Sequence, residues 1–380
     1  MFSARRSHNE RSVTPIRLSQ EQLDRFVTAH ERFADRKPNG RRLILRFMQT
    51  PNVRLTGRNL SDAELTGICL YNANLEDAVL VRTHLFCGDL RNVQAARADF
   101  SRADLRGVSL RGASLNGAVL DAADMRSALI AIADEANGIT VLRNGRDPVD
   151  AGGAMIGADG ETAQFTVDFT GASMIGVRLE GANLKHANFK DAILTNARIK
   201  GARLDGASFA GAVLTGVDLS TAGLSAAQTQ GCLLDPTPMA QMRVSILEQR
   251  IALAELWWRT DGKQGAAADL TGEDLRTLSG IFIGRSLTAM QAADAIGVCV
   301  NFSRAHLQGA NFVKADLRGA NFEGADLRGA NFTDARLSHA NFNQAQVGPL
   351  PLGRGIERQT NFAGAIGVNL KGADQGLLTT

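Results

Sequence analysis

The stretch that decides the fold is residues 301–345, NFSRA HLQGA NFVKA DLRGA NFEGA DLRGA NFTDA RLSHA NFNQA. Its large apolar residues recur at every fifth position and alternate between Phe and Leu, and an Ala lies two positions before the next of them. A period of five fits neither a helix, which repeats at 3.6 residues, nor a flat strand, which repeats at two. It fits a backbone that turns a corner every five residues and sends one large and one small side chain inward from each side.

The same period recurs in two earlier parts of the chain. Large apolar centres follow one another at intervals of five within residues 51–132, with one lapse at Ala95, and in a new frame within residues 167–234. With the third run, residues 300–347, the repeats number 38 and make up half of the 380 residues. The sequence therefore predicts three runs of one repeat, which we number 1 to 3 in chain order.

The repeat motif A-[DN]-[LF]-x-x occurs as ADLRG at residues 103–107 and as ANFVK at residues 310–314. It resembles the motif of the pentapeptide-repeat family. That resemblance implies an all-β solenoid, a right-handed quadrilateral β-helix in which four five-residue repeats complete each coil. Neighbouring coils should lie about 4.8 Å apart, like neighbouring strands. No single coil can be stable alone, so stacking must supply the stability.

The alternation of Phe and Leu in run 3 has a consequence for packing. With four sides to a coil, every fourth centre falls on the same side of the neighbouring coil. Phe302, Phe322 and Phe342 are predicted to stack as one ladder, and Phe312 with Phe332 as the facing one. We interpret this as a core pattern and not as a cofactor site.

The basic side chains are concentrated before run 1. Residues 1–50 carry 11 basic and 5 acidic side chains, whereas the whole chain has a net charge of +3. Residues 1–17 are predicted to form a basic flexible arm. Two hypotheses stay open for it, a weak contact with phosphate or a membrane surface, and a solvated tail.

A solenoid exposes its core and its strand edges at each end, so covers are expected there. Residues 18–50 are predicted to form an N-terminal capping helix followed by a strand at residues 43–48. Ser19 and Gln22 have the spacing of a capping box, which favours a helix start at this point.

Residues 133–166 are predicted to be an inserted loop between runs 1 and 2, because the repeat frame shifts there by a number that is not a multiple of five. We expect a strand pair, residues 139–143 with 163–167. In gyrase-directed members of the family that the motif resembles, projecting loops carry function, so this loop is a candidate contact site. A tolerated surface insertion is the alternative.

Residues 235–299 are predicted to be a helical insertion, and residues 348–380 to be atypical C-terminal repeats and a tail. An apolar stripe with helical spacing supports the helix. Its members are Val244, Leu247, Ile251, Ala254 and Trp258, and Trp257 lies beside them. Such a helix either closes run 2 like a lid or docks on a partner, since Trp is enriched at binding hot spots.

No catalytic, cofactor-binding or metal-binding residue is predicted, and the partner-binding residues are unknown at this stage. The four cysteines are scattered without ligand spacing. Asp104 and Asp124 should share one wall, with Arg106 and Arg126 beside them. Two interpretations apply, an anion-binding strip and a grid of cross-coil salt bridges, of which the grid is favoured.

These observations favour a non-enzymatic scaffold for an unidentified protein partner. Some pentapeptide-repeat proteins mimic DNA and bind DNA gyrase, but the three runs have net charges of only 0, +1 and +1, which disfavours that alternative. Nucleic-acid binding lacks a basic wall and an aromatic platform. We expect a cytoplasmic protein without a membrane span, and a homodimer through the solenoid ends is plausible.

Overall fold

A computed structural model describes residues 16–134, 138–143, 166–278 and 280–374. The chain forms two compact units, Met1–Leu233 and Leu234–Thr380, here called unit 1 and unit 2. Apart from its last two residues, the arm predicted at residues 1–17 lies outside the described residues, as does most of the loop predicted at 133–166.

The repeat forms one side and one corner of a coil. At the corner that follows Leu55, the amide of Arg58 donates to the Leu55 carbonyl at 3.1 Å, and Gly57 has a φ of +66°. A β-turn with positive φ at its third residue favours Gly, Asn or Asp at that position. The same conformation recurs at the next corner, at Asp62, which explains why Gly, Asn and Asp are frequent at the last position of the repeat.

Successive coils pair through equivalent residues of their sides. In unit 1 a column of parallel bridges joins Arg54, Asn74, Gln94 and Ser114. The Leu55 amide donates to the Asn74 carbonyl of the next coil at 2.7 Å. The predicted coil of four five-residue sides is therefore confirmed. Each side carries a single bridged residue between two turns, so the coils form isolated bridges and not long strands.

Helix α1, Gln20–Ala34, opens unit 1. It begins at the predicted capping box, in which the Gln22 amide donates to Ser19 Oγ at 3.2 Å and the Ser19 amide donates to Gln22 Oε1 at 2.9 Å. Leu23 and Val27 are buried in the same apolar core as the coil residues.

The strand predicted at residues 43–48 is wrong. Ile44 already bridges Glu64, its equivalent in the next coil, and Gln49 bridges Cys69 in the same way. Phe47 between them has a φ of +56° and forms a corner. The segment belongs to the first coil, because its alternating Leu43 and Leu45 are buried like other repeat positions.

His30 joins α1 to this first coil. The Leu43 amide donates to His30 Nδ1 at 3.0 Å, and the side chain is fully buried. Burial lowers the pKa of His30 below its ordinary value. The folded state therefore holds His30 neutral under conditions in which the unfolded chain, with a His pKa of about 6.5, takes up a proton.

We expect unit 1 to lose stability as pH falls below about 6.5, by at most about 1.4 kcal/mol per pH unit from this group. His30→Asn keeps an acceptor near Leu43 but cannot titrate in this range, so it should flatten the pH dependence. Urea unfolding followed by circular dichroism between about pH 5 and 7.5 compares the two proteins. Equal slopes for the variant and the parent would contradict the assignment.

Runs 1 and 2 form one continuous stack. Ser114 bridges Asp168 across the insertion, and the Leu115 amide donates to the Asp168 carbonyl at 2.7 Å. The chain leaves the coil after the buried Met125 and forms an antiparallel hairpin of β1, Leu129–Asp134, and β2, Gly138–Arg143.

The strand predicted at 139–143 is present as part of β2 and has β1 as a partner, whereas most of its predicted partner, residues 163–167, lies outside the described residues. A short connection closes at a lower entropic cost than a long one, which favours the local hairpin. Run 1 also ends earlier than the predicted residue 132, because β1 takes its last positions.

Unit 1 ends in irregular coil positions. A 3₁₀ turn at Leu219–Thr221 and a short helix α2, Ala226–Thr229, replace the last two predicted repeats of run 2. Leu233 then returns to the stack and bridges Val213.

Unit 2 begins with helices α3, Pro238–Met242, and α4, Val244–Arg259. The helical insertion predicted at 235–299 is too long, because Asp269 already bridges Gln291 in a coil slightly longer than the regular one. A 3₁₀ turn at Leu275–Leu278 interrupts the period of five there. Gly297 takes an inward position, where an added Cβ would lie 2.8 Å from Leu317 Cδ2.

The phenylalanine ladders of run 3 are confirmed. Phe302, Phe322 and Phe342 stack with ring centroids 5.1 and 5.2 Å apart, and Phe312 lies 5.1 Å from Phe332. Rings of the two ladders meet edge to face, with centroids 5.9 and 5.8 Å apart. The ladders form the core of unit 2.

The segment predicted at 348–380 contains a second hairpin, β3, Leu350–Gly353, and β4, Ile356–Arg358, which pair antiparallel. The chain then rejoins the stack, where Asn361 bridges Asn331 and Ile366 bridges Arg336. Each pair of partners is separated by one coil plus two whole repeat lengths. The inserted hairpin therefore leaves the five-residue repeat frame unchanged at these positions.

Candidate interaction surfaces

The coils arrange outward side chains in columns. A residue just before each buried centre forms the bridge, and its equivalents in the neighbouring coils lie above and below it. Asp104 and Asp124 share one such column, as predicted, and Arg106 and Arg126 lie two positions further along the same coils.

The main ion pairs of this wall lie within each coil. Arg106 donates through Nη2 to Asp104 at 2.7 Å, and Arg126 donates in the same way to Asp124 at 2.8 Å. The contact from Arg106 to Asp124 of the next coil is longer, at 3.9 Å. Arg178 of the following coil also contacts Asp124, at 3.3 Å, so the predicted cross-coil contacts are present and add to the shorter pairs within each coil.

This pairing neutralises the wall. Burial alone would raise the pKa of Asp124, but hydrogen bonds from Arg126 and the charge of Arg178 outweigh it and hold that pKa below the usual range. The carboxylate stays ionised and its charge is matched by guanidinium groups. Neither a free anion site nor a row of unmatched negative charges results.

Cross-coil salt bridges do occur at the corners of unit 1. Arg82 contacts Asp62 at 2.6 Å and Arg97 contacts Asp77 at 2.7 Å, and each pair joins neighbouring coils. All four side chains are largely exposed, so these pairs contribute little to stability. Within each pair the two charges cancel.

Helix α4 uses the predicted apolar stripe for packing. Leu247, Ile251 and Ala254 are buried in the coil core of unit 2. Arg285 Nη1 contacts Glu255 at 2.5 Å and ties the helix to the coils. Trp258, the last member of the stripe, is 47% exposed and meets the His306 ring edge to face at 5.7 Å.

A second apolar stripe, which the sequence analysis missed, lies on the outer face of the same helices. Met239 and Met242 are 68% and 75% exposed, and Ile246 and Leu253 are also exposed. Their spacing of three, four and seven positions is helical. We call these four residues the outer stripe. The helical spacing of these residues is visible in the sequence, but they lie on a different face of the helices from the stripe that packs on the core.

Within residues 16–134, 138–143, 166–278 and 280–374, no group of three or more His, Cys, Asp or Glu side chains could hold a metal ion. In the same ranges no helix combines the length and apolar content that crossing a bilayer requires.

The model of the family described as pentapeptide repeats matches this chain in eight copies, within residues 59–128, 167–227 and 298–347. The matched segments coincide with coils whose bridges join every fourth repeat. The chain is a pentapeptide-repeat protein. Among curated proteins, none matches it significantly.

Solved structures of other pentapeptide-repeat proteins are similar to this one at low identity. HetL, involved in heterocyst differentiation regulation in the cyanobacterium Nostoc, is 20% identical over 93% of each chain, with a TM-score of 0.22. Full-length QnrB1, a plasmid-mediated fluoroquinolone resistance protein, is 17% identical over 54% of this chain and 87% of its own, with a TM-score of 0.17. Scores this low carry no functional inference.

Proposed function

We propose that this pentapeptide-repeat protein is a non-enzymatic scaffold that presents apolar helical surface to a protein partner. The outer stripe on α3 and α4 carries the proposal. Met239 and Met242 remain more than two-thirds exposed, whereas the coil centres of run 3 in the same unit are buried. Exposed Met side chains adapt to many apolar surfaces, and their burial on binding is favourable.

The stack supplies the rigidity that such a surface needs. Within each unit, backbone hydrogen bonds join the described coils along their sides. Side chains of the walls form ion pairs and hydrogen bonds between amide groups. We propose that α1 closes the first coil of unit 1 and that α4 covers the start of the unit 2 coils. A right-handed winding follows from the family resemblance and is proposed on that basis.

The DNA-mimic alternative has less support. A mimic of the phosphate backbone needs rows of unmatched negative charge. The carboxylates of Asp89, Asp104 and Asp124 are each matched by an arginine two positions further on. A gyrase partner is therefore disfavoured, and a cytoplasmic location and a homodimer through coil ends stay predictions.

Affinity capture with three full-length baits tests the scaffold. The first is the parent protein, the second carries Met239→Gln, Met242→Gln and Ile246→Gln, and the third carries Phe26→Gln and Ile44→Gln as exposed apolar changes in unit 1. We expect the second bait to capture at least about tenfold less of a partner than the parent, and the third bait to capture as much as the parent. A loss of about 1.4 kcal/mol of apolar burial is enough for an about tenfold weaker affinity.

All substituted residues are exposed, so folding should be unchanged, and circular dichroism of each bait checks this. Retention of every partner by the second bait would show that recognition does not use the outer stripe. Capture of no specific protein by the parent would contradict the scaffold itself.

A further inference from the structure

A polar groove lies in unit 2 between the hairpin β3–β4 and one wall of the coils. Its volume is about 390 Å³. The floor is a column of amide side chains, one from each successive coil, and the rim is the end of β4. The floor residues are Gln291, Asn311, Asn331 and Asn361, and the rim residues are Arg358 and Gln359.

Gly329, at a corner of the coils, lets the hairpin come close enough to form this groove. A Cβ at this position would lie 2.8 Å from Leu350 Cβ and 3.2 Å from the Arg358 carbonyl oxygen. Thr360 fixes the base of the hairpin, because its hydroxyl lies 2.9 Å from the Leu327 carbonyl and accepts the Gly329 amide at 3.2 Å. The Thr360 side chain therefore ties the base of the hairpin to the backbone of the neighbouring coil.

The amide oxygens of the floor already accept hydrogen bonds from neighbouring residues. The Asn311 amide group donates to Gln291 Oε1 at 3.1 Å, and Asn331 Oδ1 accepts from the Thr333 amide at 3.1 Å. By contrast, Asn331 Nδ2 and the Arg358 guanidinium make no hydrogen bond or ion pair with any described residue. No carboxylate is among the described residues that line the groove.

We propose that this groove binds a carboxylate side chain on an acidic segment of the partner protein, with Arg358 and Asn331 as donors. A guanidinium with no ion pair favours a carboxylate, to which it can donate two parallel hydrogen bonds. Leu352 and Ile356 of the same hairpin are 52% and 59% exposed and offer apolar contact to the residues that flank that carboxylate. The identity of the ligand as a protein segment rests on the proposed scaffold function.

The test uses the full chain and a fluorescein-labelled decapeptide of alternating Glu and Leu, with binding followed by fluorescence anisotropy. Arg358→Gln should weaken binding at least about tenfold, the effect expected for loss of a bidentate charged pair. Arg354→Gln is the matched control, because it removes the same charge from the turn of the same hairpin. It should change binding less than about twofold, since the general field is screened by salt.

Asn331→Asp provides a second variant that adds a negative charge to the floor, and it should also weaken binding at least about tenfold. Several outcomes would overturn the proposal. They are equal binding of a decapeptide of alternating Gln and Leu, equal losses for both arginine variants, and no binding of the acidic probe by the parent. Displacement of the probe by inorganic phosphate at the probe's own concentration would overturn it too, in favour of a small-anion site.

The same variants separate this groove from the scaffold function. If Arg358→Gln captures every partner that the parent captures, the groove assignment fails and the scaffold stands. If the parent captures no partner yet binds the acidic decapeptide through Arg358, the scaffold fails and the groove keeps its carboxylate specificity.

Discussion

Replacement of Phe322 by Asp is expected to unfold unit 2. Phe322 is fully buried and stacks on Phe302 and Phe342 at 5.1 and 5.2 Å. Loss of a buried Phe ring costs about 3–5 kcal/mol, and burial of a carboxyl group without a partner adds a few more. The sum is comparable with the whole stability of an ordinary domain, about 5–15 kcal/mol.

Tryptophan fluorescence isolates this effect, because both Trp residues of the chain, Trp257 and Trp258, lie in α4 of unit 2. We expect the emission of the Asp variant at room temperature to be that of unfolded chain. The neighbouring substitution Glu323→Ala, at an exposed position of the same repeat, is the control and should leave thermal unfolding unchanged. Near-native thermal stability of the Asp variant would contradict the ladder as the core of unit 2.

Features set by local periodicity could be predicted from the sequence. The capping box of Ser19 and Gln22 depends on residues three apart, and the Phe ladders follow from a coil of four five-residue sides. The coil positions before residue 300 were missed because a 3₁₀ turn, Leu275–Leu278, interrupts the first coil of unit 2 and small residues, Ala292 and Gly297, occupy two inward positions of the coil that follows. At Gly297 the space is filled by Leu317 of the neighbouring coil, which a single repeat does not reveal.

The candidate surfaces were less predictable, since they depend on what lies beside each column. Arg106 contacts both Asp104 of its own coil, at 2.7 Å, and Asp124 of the next coil, at 3.9 Å, and the sequence spacing does not rank these two contacts. The groove near Arg358 exists because the hairpin returns the chain to the same column at Asn361. The return to this column depends on the length of the inserted hairpin as well as on the repeat frame. Neither can be predicted from the repeat motif alone.

The coil length gives the second large effect. Deletion of residues 301–320 removes one whole coil and leaves Phe322 five positions after Gly297, so every column stays in register. Deletion of residues 301–322 removes two positions more and leaves a coil too short for its four sides. Extra residues are tolerated, as in the longer coil from Asp269 to Gln291, which accommodates them where the 3₁₀ turn Leu275–Leu278 interrupts the repeat. A shortage cannot be relieved in that way.

We expect the deletion of 301–320 to fold and to lose only the contribution of one coil, since the stability of a stacked repeat is close to a sum over neighbours. The deletion of 301–322 should expose the centres that follow it and unfold unit 2. Trp emission during thermal denaturation distinguishes the two variants. A cooperative transition is expected for the deletion of 301–320 and none for the deletion of 301–322. Similar transitions for both would contradict a stack of coils built from four five-residue sides, on which every surface proposed here depends.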